Sequence, residues 1–382
     1  MKDENSPPEA GRSAGQPGAD ASPSPLLPPV LGMVGGGYRT RLTAQAAISL
    51  GIGFRVLADA ADDSAAQVAP AVGSVVGDSR STGELLAFAA GCEILTFERE
   101  DVPEELLAKL EPHAPQVAIR PSPATLRLVR DQAARGDWLT SLGLAVAGPT
   151  RPAEPAEPVA SAGSAAAGPT VAAGGRELAV SVARSPEGQG VTYPVTLMLR
   201  RDGERREFIA PAPDLDPDVA LEAQRIALKL AAELSLTGLL TIELIESGGK
   251  LTIGDLAAAP HDSGLWTMDG AVTSAFEQNL RALLDLPFGT PGAVAPYAAT
   301  VTVLGGDDPD VFTRFVHVMA ADSGARVHIY TNQVSQIRPG RRVGHVTVTG
   351  ADLENVRDRA WRAANYLGLG TEAPDEDPGS AG

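Results

Sequence analysis

The sequence predicts an α/β protein in which an N-terminal parallel-sheet domain is followed by two α+β segments. Three observations lead there. From residue 30 onward, short β-branched runs alternate with helical patterns, as in βαβ units whose strands run parallel. Gly35-Gly36-Gly37 falls where the first such strand meets the first helix, and glycines there let backbone N–H groups approach an anion at the helix N-terminus. Farther on, two apolar runs with alternating pattern flank Gly248-Gly249, as in a β-hairpin.

Taken in order, residues 30–34, 54–58, 74–76 and 94–97 read as strands, and 42–50, 82–90 and 104–110 as helices. Ligands of such a sheet bind beyond the carboxyl ends of its strands. A further helix starts near Ser122, a good N-cap with Pro123 at the first helical position. Residues 177–183 and 191–200 then read as strands. A helix over 217–234 follows, its apolar face formed by Leu221, Ile226, Leu228 and Leu230. The hairpin and a helix over 274–286 complete this part. The last segment has strands at 299–304, 326–329 and 345–348 and a closing helix over 352–367, with Asp352 near its N-terminus.

The organisation expected from this reading is a disordered tail over 1–29, an N-terminal domain over 30–150 and a flexible linker over 151–176. A second domain over 177–290, a third over 291–369 and a disordered tail over 370–382 follow. Residues 151–176 carry 9 Ala, 4 Pro and 4 Gly, a composition that packs no core. A net charge of −17 makes nucleic acid an improbable partner, because neutralising phosphates needs the opposite sign. The single cysteine, Cys92, excludes an intramolecular disulfide and reads as a small buried hydrophobe in a reducing compartment. No run approaches the ~20 apolar residues of a membrane span, so no membrane partner and a cytoplasmic location are expected.

Two carboxylates on neighbouring strands, Glu243 and Asp255, suit a Mg²⁺-nucleotide site, because Mg²⁺ takes oxygen ligands and shares them with phosphates. Solvated strand ends would look the same. If Gly248-Gly249 makes a two-residue turn, Glu243 pairs with Gly254 and Asp255 points away, unless a bulge intervenes. The basic loop RPGRRVGH, 338–345, offers Arg341, Arg342 and His345 as a phosphate seat. His113, His317 and His328 have no partner pattern and read as structural.

Beyond these local patterns, ordered blocks carry a resemblance. They are GMVGGG (32–37), AAQVA (65–69), VGD (76–78), TFEREDVP (96–103), PSPATLRLVRD (121–131), ELAVSVAR (177–184), TYP (192–194), RDG (201–203) and IAPA (209–212). PHDSGLWT (260–267), VTSAFEQNLRALLDLP (272–287) and RPGRRVGHVTVTG (338–350) follow. Together they make the chain similar to the 5-(carboxyamino)imidazole ribonucleotide synthase family, ATP-grasp ligases of purine biosynthesis. The resemblance implies a pre-ATP-grasp domain, a truncated ATP-grasp domain and a small C-terminal domain, commonly in a homodimer. It also implies ATP and Mg²⁺ as cofactors, with Glu243 and Asp255 as metal ligands. By the same resemblance a ribonucleotide would meet Gly35, Gly36, Gly37, Tyr38, Glu98, Glu100, His261, Ser263, Arg341, Arg342 and His345.

The departures fall on the chemistry. Tyr38, Arg39 and Thr40 replace the family's Gln-Leu-Gly, although Arg39 or Arg41 could meet a phosphate. Arg99 replaces an aromatic between Glu98 and Glu100; two exposed acids paired with Arg99 would give the same pattern. Gln132 and Gly136 stand where the family holds ATP phosphates with cations. Asp255 follows Gly254 where the family has Glu after Asn. Ala259, Asp262 and Leu265 replace the Arg, Asn and His of the substrate loop.

The 26 residues of 151–176 take the place of the lid subdomain, and even one βαβ unit needs ~30 residues. These departures read as a catalytically degenerate homologue that binds a ribonucleotide or small anion, or regulates purine-pathway enzymes. The alternative is an active ATP-dependent ligase that carboxylates aminoimidazole ribonucleotide with bicarbonate. Limited proteolysis is expected to cut first within 151–176 and leave two folded pieces associated; resistance there would mean an ordered lid remnant.

Overall fold

The computed structural model of the chain describes residues 29–67, 73–99, 102–147 and 175–370. Nearly all of both expected tails and of the expected linker, and Glu100, lie outside the described residues. The N-terminal part runs β1 (Leu31–Val34), α1 (Tyr38–Leu50), β2 (Phe54–Ala58), β3 (Ser74–Val76), α2 (Thr82–Ala89) and β4 (Ile94–Phe97). It continues with α3 (Glu104–His113), β5 (Ala118–Ile119), α4 (Pro123–Arg130) and α5 (Gln132–Ser141). Its strands form a parallel sheet in the order β3-β2-β1-β4-β5. Every residue of β1 is buried, as in a parallel sheet covered on both faces. The order reverses at β1, which brings Gly35–Gly37 and the end of β4 side by side at the usual ligand position.

α1 starts at Tyr38, ahead of the expected Leu42, because its first turn is polar and shows no apolar period. α4 begins as expected, with Ser122 Oγ accepting from Thr125 N at 3.2 Å.

The remainder contains β6 (Arg176–Arg184), β7 (Gly190–Thr192), β8 (Thr196–Arg201), β9 (Glu204–Ala210), α6 (Pro217–Glu233), β10 (Gly238–Ser247) and β11 (Lys250–Ala257). After these come α7 (Thr267–Gly270), α8 (Ala275–Leu283), β12 (Tyr297–Leu304), α9 (Val311–Ala321), β13 (Arg326–Ile329), β14 (Arg342–Gly350) and α10 (Leu353–Leu369). The single strand expected over 191–200 is divided into β7 and β8, with Pro194, which has no N–H to give, in the break. β9 has no counterpart in the sequence reading, because its first half, Glu204-Arg205-Arg206, is charged.

β9 pairs antiparallel with β12 from Ala210↔Ala298 to Glu207↔Val301. A nine-stranded sheet therefore runs β11-β10-β6-β8-β9-β12-β14-β13, with β7 beside β6. One apolar cluster extends from Leu178, Leu240 and Ile242 to Val301, Val346 and Leu367. Residues 177–290 and 291–369 thus share one sheet and one core. Leu280 and Leu283 of α8 pack with Leu31, Met33 and Phe54 and fix the parallel sheet against this unit.

The hairpin holds the decisive local feature. Ser247 pairs with Lys250 across a two-residue turn in which Gly248 and Gly249 have φ of 58° and 78°. The turn is as expected, but Leu244 faces Ile253 while Glu243 faces Asp255. Gly254 is an extra bulge residue. The bulge that the sequence left open is present: it reverses the alternation, so Asp255 does not point away and both carboxylates lie on one face.

Leu240→Ala should cost ~2–5 kcal/mol. Because the core is shared, single-tryptophan variants retaining Trp266 or Trp361 should report the same shifted urea midpoint. Two separate midpoints would mean independently folding halves.

Candidate functional site

At the N-terminus of α1 the Glu98 carboxylate accepts from Gly37 N at 2.8 Å, Arg39 N at 3.2 Å and Thr40 N at 3.5 Å. Glu98 is 8% exposed. Burial pushes its carboxyl above the usual range, and the N–H groups partly offset this. A Cβ on Gly37 would lie 2.2 Å from Glu98 Oε1, so this close approach requires glycine. The alternative of Glu98 as an exposed acid is corrected: it is a buried cap. The anion at this helix N-terminus is the chain's own. Gly35, Gly36, Gly37 and Glu98 also line a cavity of about 270 Å³ with Asp59, Asp63 and Arg99.

Asp262 forms the centre of the cleft. Its Oδ1 accepts from Arg39 Nε at 3.1 Å and Arg39 Nη2 at 2.8 Å, and from the Tyr38 hydroxyl. Arg342 Nη1 donates to Oδ2. Burial alone would raise this carboxyl, but Arg39 and Arg342 hold it well below the usual carboxylate range. The charge of Asp262 is neutralised within the chain. The adjoining cavity, about 500 Å³, is lined by Arg200, Arg205, His261, Asp262, Gly340 and Arg342 among others.

Glu243 and Asp255 face a cavity of about 140 Å³ together with Arg39, Arg99 and His261. Each already has a cation. Arg205 Nη1 lies 2.5 Å from Glu243 Oε1, while Arg205 Nε lies 2.7 Å from Glu177 Oε2. Arg135 Nη2 is 2.7 Å from Asp255 Oδ1. Burial outweighs Arg205 and raises the Glu243 carboxyl. His261 joins this group: its Nε2 is 3.4 Å from Glu243 Oε1 and its Nδ1 is 2.9 Å from Ser263 Oγ. With Nδ1 accepting from Ser263 N at 3.2 Å, the histidine fixes the loop leading into Asp262.

The basic loop divides. Arg342 enters the cleft, but Arg341 points to Gln336, 3.4 Å away, so its place in the expected phosphate seat is corrected. His345 is fully buried and meets the Tyr330 hydroxyl through Nδ1 at 2.7 Å, beneath the seat rather than in it. Tyr330 stacks on Tyr38 at 4.4 Å and 10° and thereby fixes the phenol. His328, read as unpartnered, lies under His345 at 4.5 Å and 10°, with Nε2 2.7 Å from Asp269 Oδ2. The ligand-capable atoms of Asp269, His328 and His345 lie within 4.8 Å of one another. Stacked imidazoles aim their in-plane lone pairs side by side, however, and one ion cannot meet both at ~2.1 Å along their ring planes. This trio is a packing stack.

Comparison with known proteins follows the same layout. Residues 29–130 match the ribonucleotide synthetase preATP-grasp domain, 171–276 the ATP-grasp domain, and 298–359 the phosphoribosylaminoimidazole carboxylase C-terminal domain. The N5-carboxyaminoimidazole ribonucleotide synthase of Mycobacterium tuberculosis is 40% identical, covering 92% of this chain and 91% of that one. The chain belongs to the N5-carboxyaminoimidazole ribonucleotide synthase family. The synthase of Corynebacterium ammoniagenes is 34% identical over 93% of this chain and 95% of its own. The solved N5-carboxyaminoimidazole ribonucleotide synthetase of Thermus thermophilus superposes with a TM-score of 0.73 at 27% identity, covering 90% and 99% of the two chains. The ATP complex of the Aspergillus clavatus enzyme shares the fold, with a TM-score of 0.75 at 23% identity over 89% and 98%. The three-domain α/β architecture of the synthase family is thus this chain's architecture. Among the described residues no helix is long and apolar enough to cross a membrane.

The sequence reading missed Arg205, Arg135, Tyr330 and Asp269. Arg205 reads as one more charge in a turn, and its pairing with Glu243 spans 38 positions with no local pattern. Arg39, named only as a possible phosphate contact, is an ion-pair partner of Asp262.

Burial, reinforced by Arg39, lowers the His261 pKa to about 4. The unfolded chain therefore takes up this proton first, near the ordinary ~6.5, and stability falls as pH drops from there towards 4. The loss is up to roughly 3 kcal/mol, and His345, lowered by burial, adds in the same direction. His261→Gln should flatten part of this fall in urea titrations from pH 7 to 4. An unchanged slope would place the titration elsewhere.

Proposed function

We propose that the cleft binds a small phosphate-bearing molecule of the ribonucleotide class without itself coupling ATP to carboxylation. One observation carries this reading: both candidate metal carboxylates are already held by guanidinium groups, Glu243 by Arg205 and Asp255 by Arg135. Mg²⁺ at these carboxylates would meet the repulsion of Arg205, which is held in a contact shared with Glu177. Two features of the chain support the reading further. Residues 131–170 fall between the preATP-grasp and ATP-grasp matches. They include most of the 26-residue stretch that is too short for a lid subdomain.

The second reading is an active synthase that uses ATP and bicarbonate to carboxylate aminoimidazole ribonucleotide. Overall likeness favours it: the relatives carry the synthase name, and nothing in the comparisons speaks for lost activity. The bulge that turns Glu243 and Asp255 into one cavity favours it too. In that reading Glu243 and Asp255 hold Mg²⁺ once Arg205 and Arg135 turn aside, and the metal supplies charge neutralisation for ATP phosphates.

The two readings part in one assay. At millimolar Mg-ATP with aminoimidazole ribonucleotide and bicarbonate, the first predicts ADP release no higher than in a Glu243→Ala control. Losing one electrostatic contact to a transition state typically costs ~10²–10³ in rate, so several losses leave little to detect. Substrate-dependent release well above the control would establish the synthase reading instead.

A further inference from the structure

We propose that Asp262 stands in for a ligand's anionic group: its carboxylate fills a seat of guanidinium and phenol donors that would otherwise take a phosphomonoester dianion. The inference rests on the binding reading above and names what controls that site. Arg39, Arg342 and Tyr38 converge on this one carboxylate. Guanidinium forks fit carboxylate and phosphate oxygens equally well, so the seat does not distinguish the two by geometry.

Two of the three donors have contacts besides Asp262, and the backbone of the third is fixed. Tyr38 is stacked on Tyr330, and Arg342 Nη1 also donates to the Tyr38 hydroxyl oxygen at 3.1 Å. Arg39 belongs to the first turn of α1, whose N–H groups are anchored by Glu98. Removing the carboxylate would therefore leave two guanidinium groups aimed at one point with no anion between them. Buried like charges of that kind recruit a counter-ion.

Room for the rest of a ligand is present. Asp262 and Arg342 face the cavity of about 500 Å³ that also exposes Arg200 and Arg205. A phosphomonoester entering there would compete with a carboxylate tethered in place, whose effective concentration is in the millimolar range or above. Asp262 thus sets a high threshold for binding in the native chain. It also joins three parts of the fold at the seat, since Tyr38 and Arg39 come from α1, Arg342 from β14 and Asp262 from the loop after β11.

The test uses the full chain, with inorganic phosphate and ribose 5-phosphate as probes and chloride at matched ionic strength as the control. Calorimetric titration of the native protein and of Asp262→Asn should show at least tenfold tighter phosphate binding by the variant. Adding Arg342→Ala to Asp262→Asn should abolish the gain. If Asp262→Asn lowers stability, thermal unfolding should be restored by phosphate and not by chloride; no selective restoration counts against the proposal. Equal affinity in the native chain and the variant would overturn it, as would a gain that survives Arg342→Ala. Tight phosphate binding by the native chain would remove the role given to Asp262 and leave the binding reading standing. Substrate-dependent ADP release would overturn the binding reading without altering the phosphate comparison.

Discussion

A carboxylate taken out of water must be met by cations and hydrogen-bond donors or give up its charge. Asp262 meets that requirement with groups from opposite ends of the chain, Tyr38 and Arg39 on one side and Arg342 on the other. The closed arrangement of the cleft depends on this contact. It joins the start of α1, the loop after β11 and the first residue of β14, and the packing of α8 against β1 and β2 fixes the same relative placement from the apolar side. A buried ion pair contributes little net stability against a well-packed apolar replacement, yet losing one partner typically costs ~3–5 kcal/mol. The contact therefore acts on arrangement more than on total stability.

The same logic recurs around the cleft. The helix N-terminus that could hold a ligand's phosphate is capped by Glu98. The guanidinium pair that could hold a second anion is filled by Asp262. The carboxylates that could hold a metal face Arg205 and Arg135. These groups thus find their counterparts inside the chain. A ligand entering this cleft exchanges one set of ion pairs for another instead of filling empty positions, and its affinity is the difference between the two sets.

Much of the fold was legible locally. The strands at 54–58 and 94–97 fall on apolar runs, because burial of an inner parallel strand selects for such runs, and the edge strands at 74–76 and 326–329 fall on short β-branched stretches. Ser122, Asp352 and Gly248-Gly249 each announced a cap or turn through its own side chain or backbone freedom. β9 stayed hidden since two charged residues lie inside it: Arg205 meets Glu177 and Glu243, and Arg206 lies over Trp361 and donates to the Thr302 carbonyl, all far along the chain. Glu243, Asp255, His261 and Arg342, named by type and order, lie together around the cleft. Arg341 and His345 were assigned with Arg342 as one basic loop, yet Arg341 turns to Gln336, and His345, on the same side of β14 as Arg342 through the irregular register at Val343, is buried against Tyr330.

The sequence by itself determined the class of fold, the order of its domains and the family, because these follow from periodicity, turn chemistry and ordered blocks of residues along the chain. Only the tertiary structure decided which charges meet. One extra residue, Gly254, reversed the facing of Asp255. Pairing of β9 with β12 joined the second and third domains through one continuous sheet. Arg205, Arg135 and Arg39 found carboxylates that lie far from them in the chain. Such contacts are set by packing between distant segments, and ion pairing has no sequence period through which it could be read.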